Sequence, residues 1–330
     1  MRALSASLRL VAPPLSNQEA DRFRTAGPEA NDARAQLGRA TIYMIGQRQE
    51  IFFRDLKWDA EASHLLFTLV LGEVRVRGRM DVNGLSERRG RADCDPMGVS
   101  ADEKYIHILD VDEHGEKTVV WGASPDAVLY YAWRQDPDIA LERDARELAS
   151  YRLLYIGMSD DGAYQRLINA PHHARLDILT NEFQIRSEAR VSDETFFFMF
   201  EIEPLHLQSW GADDDITEEQ IERMTSQDAG LPQKKLTSDV EKAFISMLKT
   251  PYNKRLYKNY PKVAGGLSGL GLDSYAYAIA EDISFDVDGQ RVDGGYAPGL
   301  PNSNRADFIL VSGDRVQLID ISEKAEIEYG

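Results

Sequence analysis

The stretch YRLLYIGM, residues 151–158, decides the fold expected for this chain. Its apolar and aromatic residues, set between polar flanks, predict a buried β-strand. A second apolar run, ETFFFMFEIE at 194–203, predicts another strand that is buried on both faces. The two segments between them, 160–170 and 171–183, are helical in pattern. Strands and helices are therefore expected to alternate in the middle of the chain.

Outward from this centre, DAVLYYAWR at 126–134 predicts a strand, and 136–151 predicts a short amphipathic helix. Downstream, VEKAFISMLKT carries a helical apolar stripe that begins after Thr237, Ser238 or Asp239 and is stopped by Pro251. Glycine-rich VAGGLSGLGLDS then predicts a hinge, because it lacks the spacing and the preceding strand of a dinucleotide-binding loop.

The fold class expected is α+β, with four segments along the chain. Residues 1–38 predict a loosely ordered N-terminal arm with one weak helix. Residues 39–125 hold short β-branched and aromatic runs separated by turns, and predict a β-rich accessory domain of antiparallel hairpins. Residues 126–262 form the mixed α+β segment, and 263–330 predict a C-terminal β segment.

Composition excludes several classes of protein. The chain has 330 residues, 43% of them hydrophobic and 28% charged, which is typical of globular domains and not of fibres or coiled coils. Its longest apolar run, 65–72, is far shorter than the ~20 residues that span a bilayer, so no membrane association is expected. The single cysteine, Cys94, and the absence of an export signal in the opening residues predict a cytoplasmic location.

The net charge of −17 opposes long-range attraction to nucleic acid or to an anionic membrane. One segment departs from this acidity, because no acidic residue lies between Glu241 and Asp273. Its basic residues, with tyrosines between them, are expected to contact phosphates and bases. The residues selected as nucleic-acid contacts are Lys249, Lys254, Arg255, Lys258 and Lys262. The competing interpretation is a solvated helix end whose cations complement the helix dipole.

A set of residues suited to phosphodiester hydrolysis follows the central strand. Tyr155 lies in Tyr-Ile-Gly, Arg166 comes in the next helix, and the pair His172 and His173 follows at once. Downstream, Glu241 precedes Pro251-Tyr252-Asn253, with twelve residues from the glutamate to Asn253.

In this order the motifs resemble those of the GIY-YIG nuclease superfamily over about 128–262. The resemblance implies a small antiparallel sheet with flanking helices and a metal-dependent endonuclease, in restriction or defence. It also implies catalytic roles for Tyr130, Tyr155, Arg166, Glu241 and Asn253, and for one of the two histidines, His172 or His173. Tyr130 is preferred as the tyrosine of the first motif, because neighbouring strands are normally close in sequence. Tyr43, in Thr41-Ile42-Tyr43, matches that motif better but lies more than a hundred residues from Tyr155.

These residue types suit the chemistry. A carboxylate such as Glu241 can hold Mg²⁺ or Mn²⁺, which prefer oxygen ligands. Arg166 can offer a bidentate fork to phosphate, and a tyrosine or histidine can take a proton from the attacking water. Asn253 can orient the surroundings of Glu241 or contact a phosphate. DNA is favoured over RNA as the substrate, with a partner protein or a second copy of the chain adding contacts.

Two alternatives stay open. Asp307 and Asp320 lie on consecutive predicted strands, as in PD-(D/E)xK nucleases, but Ser322 stands where that pattern needs lysine. The other alternative is a non-catalytic nucleic-acid-binding or scaffold protein on a degenerate nuclease fold. The missing glycine before Tyr130, the long insertion before Tyr155 and the net charge favour it.

Overall fold

The structure is a computed structural model that describes residues 2–27, 30–88, 97–208, 232–298 and 305–321. Most of the regular structure is β, arranged as one large curled sheet of mixed strand direction and two small antiparallel sheets. Helices flank these sheets. The expected α+β class is therefore confirmed at this level.

The large sheet collects strands from distant parts of the chain. Across the sheet the order is β15 (Gln290–Asp293), β14 (Ser284–Val287), β11 (Ser150–Met158), β3 (Ile42–Gln47), β12 (Thr195–Gln208), β1 (Arg2–Leu10), β13 (Ser274–Ile279), β16 (Phe308–Ser312) and β17 (Arg315–Ile319). A short strand, β2 (Leu15–Ser16), also pairs with β12. The pairs β1–β13 and β11–β14 are parallel, and the others are antiparallel. The strands predicted at 151–158 and 194–203 are confirmed as β11 and β12.

The two small sheets lie between β3 and β11 in sequence. One contains β4 (Phe52–Asp59), β5 (His64–Leu71), β6 (Val74–Asp81) and β10 (Ile139–Leu141). The other contains β7 (Met97–Ala101), β8 (Ile106–Val111) and β9 (Lys117–Ala123). In β6 the predicted alternation is confirmed, since Val76 and Met80 are buried while Arg75, Arg77 and Arg79 are exposed.

The helices are α1 (Asn17–Thr25), α2 (Asn31–Gly38), α3 (Val82–Arg88), α4 (Pro125–Trp133), α5 (His173–Asn181), α6 (Val191–Glu194) and α7 (Gln233–Leu248). A 3₁₀ turn at Arg146–Ala149 and a π-helical turn at Gln165–Asn169 complete the set. None of the helices in the described ranges is both long and apolar enough to cross a bilayer.

The prediction of a loosely ordered arm over 1–38 is wrong for β1. This strand pairs with β12 on one side and β13 on the other, near the middle of the large sheet. Leu4, Ala6, Leu8 and Leu10 alternate with more polar residues and are all buried. That period of two is a strand signal that the arm interpretation overlooked.

Two predictions between 126 and 151 are also wrong. Residues 125–133 form α4 and not a strand, with Pro125 in the first turn. The helix is buried on most sides and touches two core clusters, so its sequence has no clear polar face from which to read a period. Residues 136–151 form β10 and the 3₁₀ turn in place of the expected helix.

The helix predicted after Thr237, Ser238 or Asp239 starts earlier, at Gln233. Asp239 does not cap it but is fully buried inside, where its carboxylate accepts hydrogen bonds from the hydroxyls of Tyr260 and Tyr277 at 2.7 and 2.6 Å. The helix ends at Leu248, and Lys249 follows in a left-handed conformation.

The predicted segments do not coincide with the sheets. Strands from all four of them, 1–38, 39–125, 126–262 and 263–330, enter the large sheet. The boundaries therefore remain predictions about folding units. Cys94 lies outside the described residues. The acidic stretch 211–229, whose sequence predicts a short helix capped by Asp215 or Thr217, lies outside them too.

Candidate active site

The two tyrosines that meet in the sheet are Tyr43 and Tyr155. In the antiparallel pair β3–β11, Tyr43 lies opposite Gly157, so Tyr155 is its diagonal neighbour on the same face. Their ring centroids are 6.0 Å apart. The strand that pairs with the Tyr-Ile-Gly strand is therefore the one that carries Thr41-Ile42-Tyr43.

The preference for Tyr130 is corrected by this pairing. Tyr130 lies in α4, where it is buried and its hydroxyl donates to the carbonyl of Leu10 at 3.4 Å. Sequence proximity misled the prediction, because both small sheets and α4 are inserted between the neighbouring strands β3 and β11. The strand β12 belongs to the same large sheet as β11, but it pairs with β3 and not with β11.

Because residue 157 is a glycine, the ring of Tyr43 can lie directly against the neighbouring strand β11. A Cβ atom at this position would lie 2.5 Å from Cζ and 2.6 Å from Oη of Tyr43. A bulge in β11 between Leu153 and Tyr155 shifts the register just before the site. Such bulges redirect the side chains that follow them.

His172 joins the tyrosine pair from the N-terminus of α5. Its Nε2 is 2.9 Å from Oη of Tyr43, and its ring centroid is 5.3 Å from that of Tyr155. Its Nδ1 accepts a hydrogen bond from the backbone N–H of Arg175 at 3.1 Å, capping the helix. Of the two histidines left open by the sequence, His172 lies in this cluster, whereas His173 is exposed on the first residue of α5.

The protonation of His172 sets the direction of its hydrogen bonds. Burial, with the nearby Arg166, Arg175 and His173, lowers the pKa of His172 to about 4, so the ring is neutral at pH 7. Because Nδ1 accepts a hydrogen bond from the backbone, the neutral ring carries its proton on Nε2. His172 therefore donates to Tyr43.

Tyr43 passes this polarity on to Tyr155. Burial raises the pKa of Tyr43, as does its hydrogen bond with Tyr155, in which Tyr43 is the donor. The pKa of Tyr155 is raised by burial, and the bond from Tyr43 opposes that rise. Hydrogen-bond donation thus runs from His172 through Tyr43 to Tyr155, and the hydroxyl of Tyr155 is the end of the chain.

The charges of Arg166 and Glu241 both influence the hydroxyl of Tyr155. The charge of Glu241 raises the pKa of Tyr155 and the charge of Arg166 lowers it, so both groups lie within electrostatic range of one hydroxyl. Arg166 is exposed on the π-helical turn, and it also interacts with Tyr43. Turns of this kind are frequent at functional sites. Both charged residues that the sequence analysis assigned to one site therefore lie within electrostatic range of Tyr155.

Glu241 projects from α7 toward the end of β11. Its carboxylate accepts a hydrogen bond from the backbone of Met158. This bond and the charge of Lys242 both lower the pKa of Glu241. Burial outweighs both and raises the pKa of Glu241 to about 7. A nearby cation would stabilise the ionised form of this carboxylate, and a cation bound to it would displace its proton.

Asn253 has a different position from that expected. Its side-chain oxygen accepts from the backbone N–H of Ile156 at 2.9 Å, and its amide donates to the carbonyl of Ile156 at 2.8 Å. The backbone N–H of Tyr252 donates to Leu154 at 3.1 Å. Asn253 therefore holds the open edge of β11 beside Tyr155, and its carboxamide is engaged by the backbone.

The residues selected as nucleic-acid contacts follow α7. Lys249, Lys254, Arg255 and Lys258 are exposed. Lys262 is exposed as well but forms an ion pair with Asp314 at 2.6 Å. Arg255 lies over the ring of Tyr257, with its Cζ 4.8 Å from the ring centroid. The basic segment thus follows the helix that carries Glu241.

The residues at the alternative C-terminal site have another function. Asp307 and Asp320 flank the hairpin of β16 and β17 at the same end. The buried carboxylate of Asp307 accepts from the backbone N–H groups of Asp293 at 2.8 Å and Ile321 at 3.0 Å. It therefore satisfies backbone donors at the hairpin base. Ser322 lies outside the described residues.

The donor set at Glu241 fits one kind of cation. In the part of the chain that the structure describes, no group of three or more His, Cys, Asp or Glu side chains could enclose a metal ion. Mg²⁺ and Mn²⁺ fit, because Mg²⁺ retains several waters and is bound through one or two carboxylates together with substrate phosphate.

Comparison of the chain with family models, with curated proteins and with solved structures finds no match. Sequence reasoning missed Tyr43 as the partner of Tyr155, although Thr41-Ile42-Tyr43 carried the signal. The choice between His172 and His173 had no signal in the sequence, because only the packing of α5 against β3 separates them.

Proposed function

We propose that this protein is a metal-dependent endonuclease of the GIY-YIG type that hydrolyses phosphodiester bonds of nucleic acid, with DNA as the favoured substrate. The observation that carries the proposal is the convergence of a polarised tyrosine pair, an arginine and a half-buried carboxylate at the open edge of β11. A restriction or defence role remains the biological setting proposed for it.

In the proposed reaction, the oxygen of a water molecule bonds to phosphorus and the bond from phosphorus to the leaving oxygen breaks. Tyr155, as phenolate, takes the proton of the attacking water, and the leaving oxygen takes a proton from solvent. Burial raises the pKa of Tyr155, and the hydrogen bond from Tyr43 and the charge of Arg166 oppose that rise and so stabilise the phenolate. Arg166 also donates to the phosphate as its negative charge grows.

His172 acts on Tyr155 through Tyr43. By donating to Tyr43, it directs the Tyr43 proton toward Tyr155 and holds the ring. Glu241 would hold Mg²⁺ or Mn²⁺. When bound, the ion supplies charge neutralisation at the phosphate.

The test is nicking of supercoiled plasmid DNA by the purified full chain with Mg²⁺ or Mn²⁺. Glu241→Gln keeps the size of the side chain and removes its charge, so we expect the cleavage rate to fall about 10²-fold or more. Glu188→Gln, at an exposed glutamate, is the matched control and is expected to cleave as the wild type does. Absence of cleavage by the wild type, or full activity of Glu241→Gln, would contradict the proposal.

The pH dependence gives a second readout. Because the pKa of Glu241 is about 7 and its carboxylate acts deprotonated, ionisation of Glu241 alone is expected to raise the wild-type rate at limiting Mg²⁺ about tenfold from pH 6 to pH 8. Deprotonation of Tyr155, whose pKa is raised by burial, adds to this rise, so an increase of about tenfold or more is expected. A rate that falls over this range has the wrong sign for the mechanism.

The second candidate is a non-catalytic nucleic-acid-binding or scaffold protein on this fold. The net charge of −17 and the single carboxylate of the site favour it. It predicts DNA binding without nicking under any of these conditions.

A further inference from the structure

Arg175 connects three elements that surround the candidate active site. It lies in the first turn of α5, three residues after His172, and is half-buried. Its Nε donates to the side-chain oxygen of Asn17 at 2.9 Å, and its Nη1 donates to the backbone carbonyl of Leu167 at 3.1 Å. Asn17 is the first residue of α1, and Leu167 follows Arg166 in the π-helical turn. One guanidinium therefore joins α1, α5 and the π-helical turn.

The guanidinium of Arg175 lies on the face of the large sheet that carries Tyr43. Its Cζ is 5.2 Å from the centroid of the Phe197 ring. In the pair β3–β12, Phe197 lies opposite Ile45. Two residues along β12, Met199 lies opposite Tyr43, so the ring under the guanidinium and the tyrosine share one face. A buried ring therefore fixes the guanidinium in addition to its two acceptors.

The backbone of Arg175 contacts a residue of the candidate site. Its N–H donates to Nδ1 of His172 at 3.1 Å, and Nε2 of the same ring is 2.9 Å from Oη of Tyr43. The side chain of Arg175 thus holds the turn that carries Arg166, while its backbone holds the imidazole. One residue sets these two parts of the site relative to each other.

We infer that Arg175 is a positioning residue of this site, whose guanidinium holds the π-helical turn, and with it the backbone of Arg166, at a fixed distance from His172. The inference rests on the proposed nuclease function and adds a residue that does not itself contact the substrate. A single π-helical turn is short, so a hydrogen bond from outside it contributes much to its position. A shift of about 1 Å in a group that must meet the phosphate can lower the rate about 10²-fold.

The first measurement is plasmid nicking with Mg²⁺ by the full chain carrying Arg175→Ala. This variant loses the hydrogen bonds to Asn17 and Leu167 but removes no contact with substrate. We therefore expect kcat to fall about 10–100-fold while KM changes less than about threefold.

Arg34→Ala is the matched control. Arg34 is also half-buried and also donates to backbone carbonyls, those of Phe23 at 3.0 Å and Gly27 at 3.1 Å. These bonds lie at the C-terminal end of α1, whereas Asn17 begins that helix. The control removes a similar set of bonds elsewhere, and it is expected to cleave within about twofold of the wild type.

Arg175→Lys separates hydrogen-bond geometry from charge. Lysine keeps the positive charge, through which Arg175 lowers the pKa of His172. Its ammonium does not reproduce the planar fork that reaches Asn17 and Leu167 together. We expect Arg175→Lys to be as slow as Arg175→Ala, within about threefold.

Chemical rescue separates positioning from folding. About 50 mM guanidinium chloride should raise the rate of Arg175→Ala about fivefold or more, because the free cation can occupy the vacated place beside Leu167. Sodium chloride at the same concentration should not. Guanidinium destabilises folded proteins, so a variant that is slow only because it is unstable would become slower.

The outcomes distinguish the inference from the nuclease proposal. If the wild type cleaves and Arg175→Ala is within about twofold of it, the inference is overturned and the nuclease proposal stands. A slow Arg175→Ala without rescue by guanidinium, or a fully active Arg175→Lys, would assign the effect to folding or to charge and would also overturn the inference. If the wild type does not cleave, the nuclease proposal fails and the inference fails with it.

Discussion

At the scale of single residues, the site depends on a glycine that has no chemistry of its own. Gly157 lies opposite Tyr43, and any larger residue would meet the phenol ring of Tyr43 across the strand pair. The glycine of the Tyr-Ile-Gly motif is thus explained by the approach of two strands. A larger residue in place of Gly157 would displace Tyr43 from His172 and Tyr155.

We expect Gly157→Ala to lower the cleavage rate at least tenfold, because its Cβ displaces Tyr43 and breaks the donor chain from His172. The free energy of unfolding in urea should fall by about 1–3 kcal/mol from overpacking. Gly98→Ala is the control, since its Cβ would meet nothing closer than 3.5 Å. Unaltered cleavage by Gly157→Ala would show that the position of Tyr43 is unimportant.

At the scale of elements, three pieces of local structure hold the site on the edge of β11. The π-helical turn at Gln165–Asn169 carries Arg166, the first residues of α5 place His172, and α7 carries Glu241. The loop after α7 then returns to β11, where Asn253 bonds both backbone groups of Ile156. The spacing of twelve residues between Glu241 and Asn253 follows from this arrangement, because α7 carries Glu241 and the loop after α7 brings Asn253 back to β11.

The basic segment after α7 is expected to follow the nucleic-acid backbone. Replacing the exposed Lys254 and Lys258 together by alanine should weaken binding to unrelated DNA sequences alike. The slope of log affinity against log salt concentration should decrease by about two, one for each lost phosphate contact. Fluorescence anisotropy across a salt series measures both quantities.

The matched control replaces Lys57 and Arg79, two exposed cations of one of the small sheets. It makes the same change in net charge at another place. If both double variants change the salt slope equally, the effect is one of overall charge and the segment is a solvated helix end.

At the scale of the whole molecule, the large sheet is assembled from strands that lie far apart in sequence. β1 pairs with β12 and with β13, so residues near 5 contact residues near 205 and near 276. Both faces of the sheet are covered by buried apolar side chains, and β3 supplies Ile42 and Met44 to one cluster and Tyr43 and Ile45 to the other. Tyr43, the tyrosine of the candidate site, therefore belongs to the core of the fold.

The central position of β1 makes a prediction about stability. Leu8→Ala should reduce the free energy of unfolding by about 2–5 kcal/mol, because Leu8 is fully buried in the core of the large sheet. Leu176→Ala, at a leucine that is 55% exposed on α5, should change it by less than about 1 kcal/mol. Urea denaturation measures both, and equal small effects would mean that β1 is a dispensable arm.

Local sequence patterns are sufficient to predict several elements of the fold. The strands at 151–158 and 194–203, the hairpin of β5 and β6 and the helix α5 follow from hydrophobic period and turn residues close to them. The sequence motifs also predict one site for Tyr155, Arg166 and Glu241, and the charges of Arg166 and Glu241 both influence the pKa of Tyr155. Local propensity and chemistry suffice for these.

The pairing of β3 with β11, and with it the place of Tyr43 beside Tyr155, could not be predicted from local patterns. The choice between Tyr43 and Tyr130 depends on pairing across more than a hundred residues, and loop closure over such a distance leaves no local trace in the sequence. The same holds for β1, for His172 over His173, and for the helical form of α4, whose apolar residues suit either a buried strand or a buried helix. In each case packing against distant residues outweighs the local preference, because burial of apolar surface contributes more free energy than propensity does.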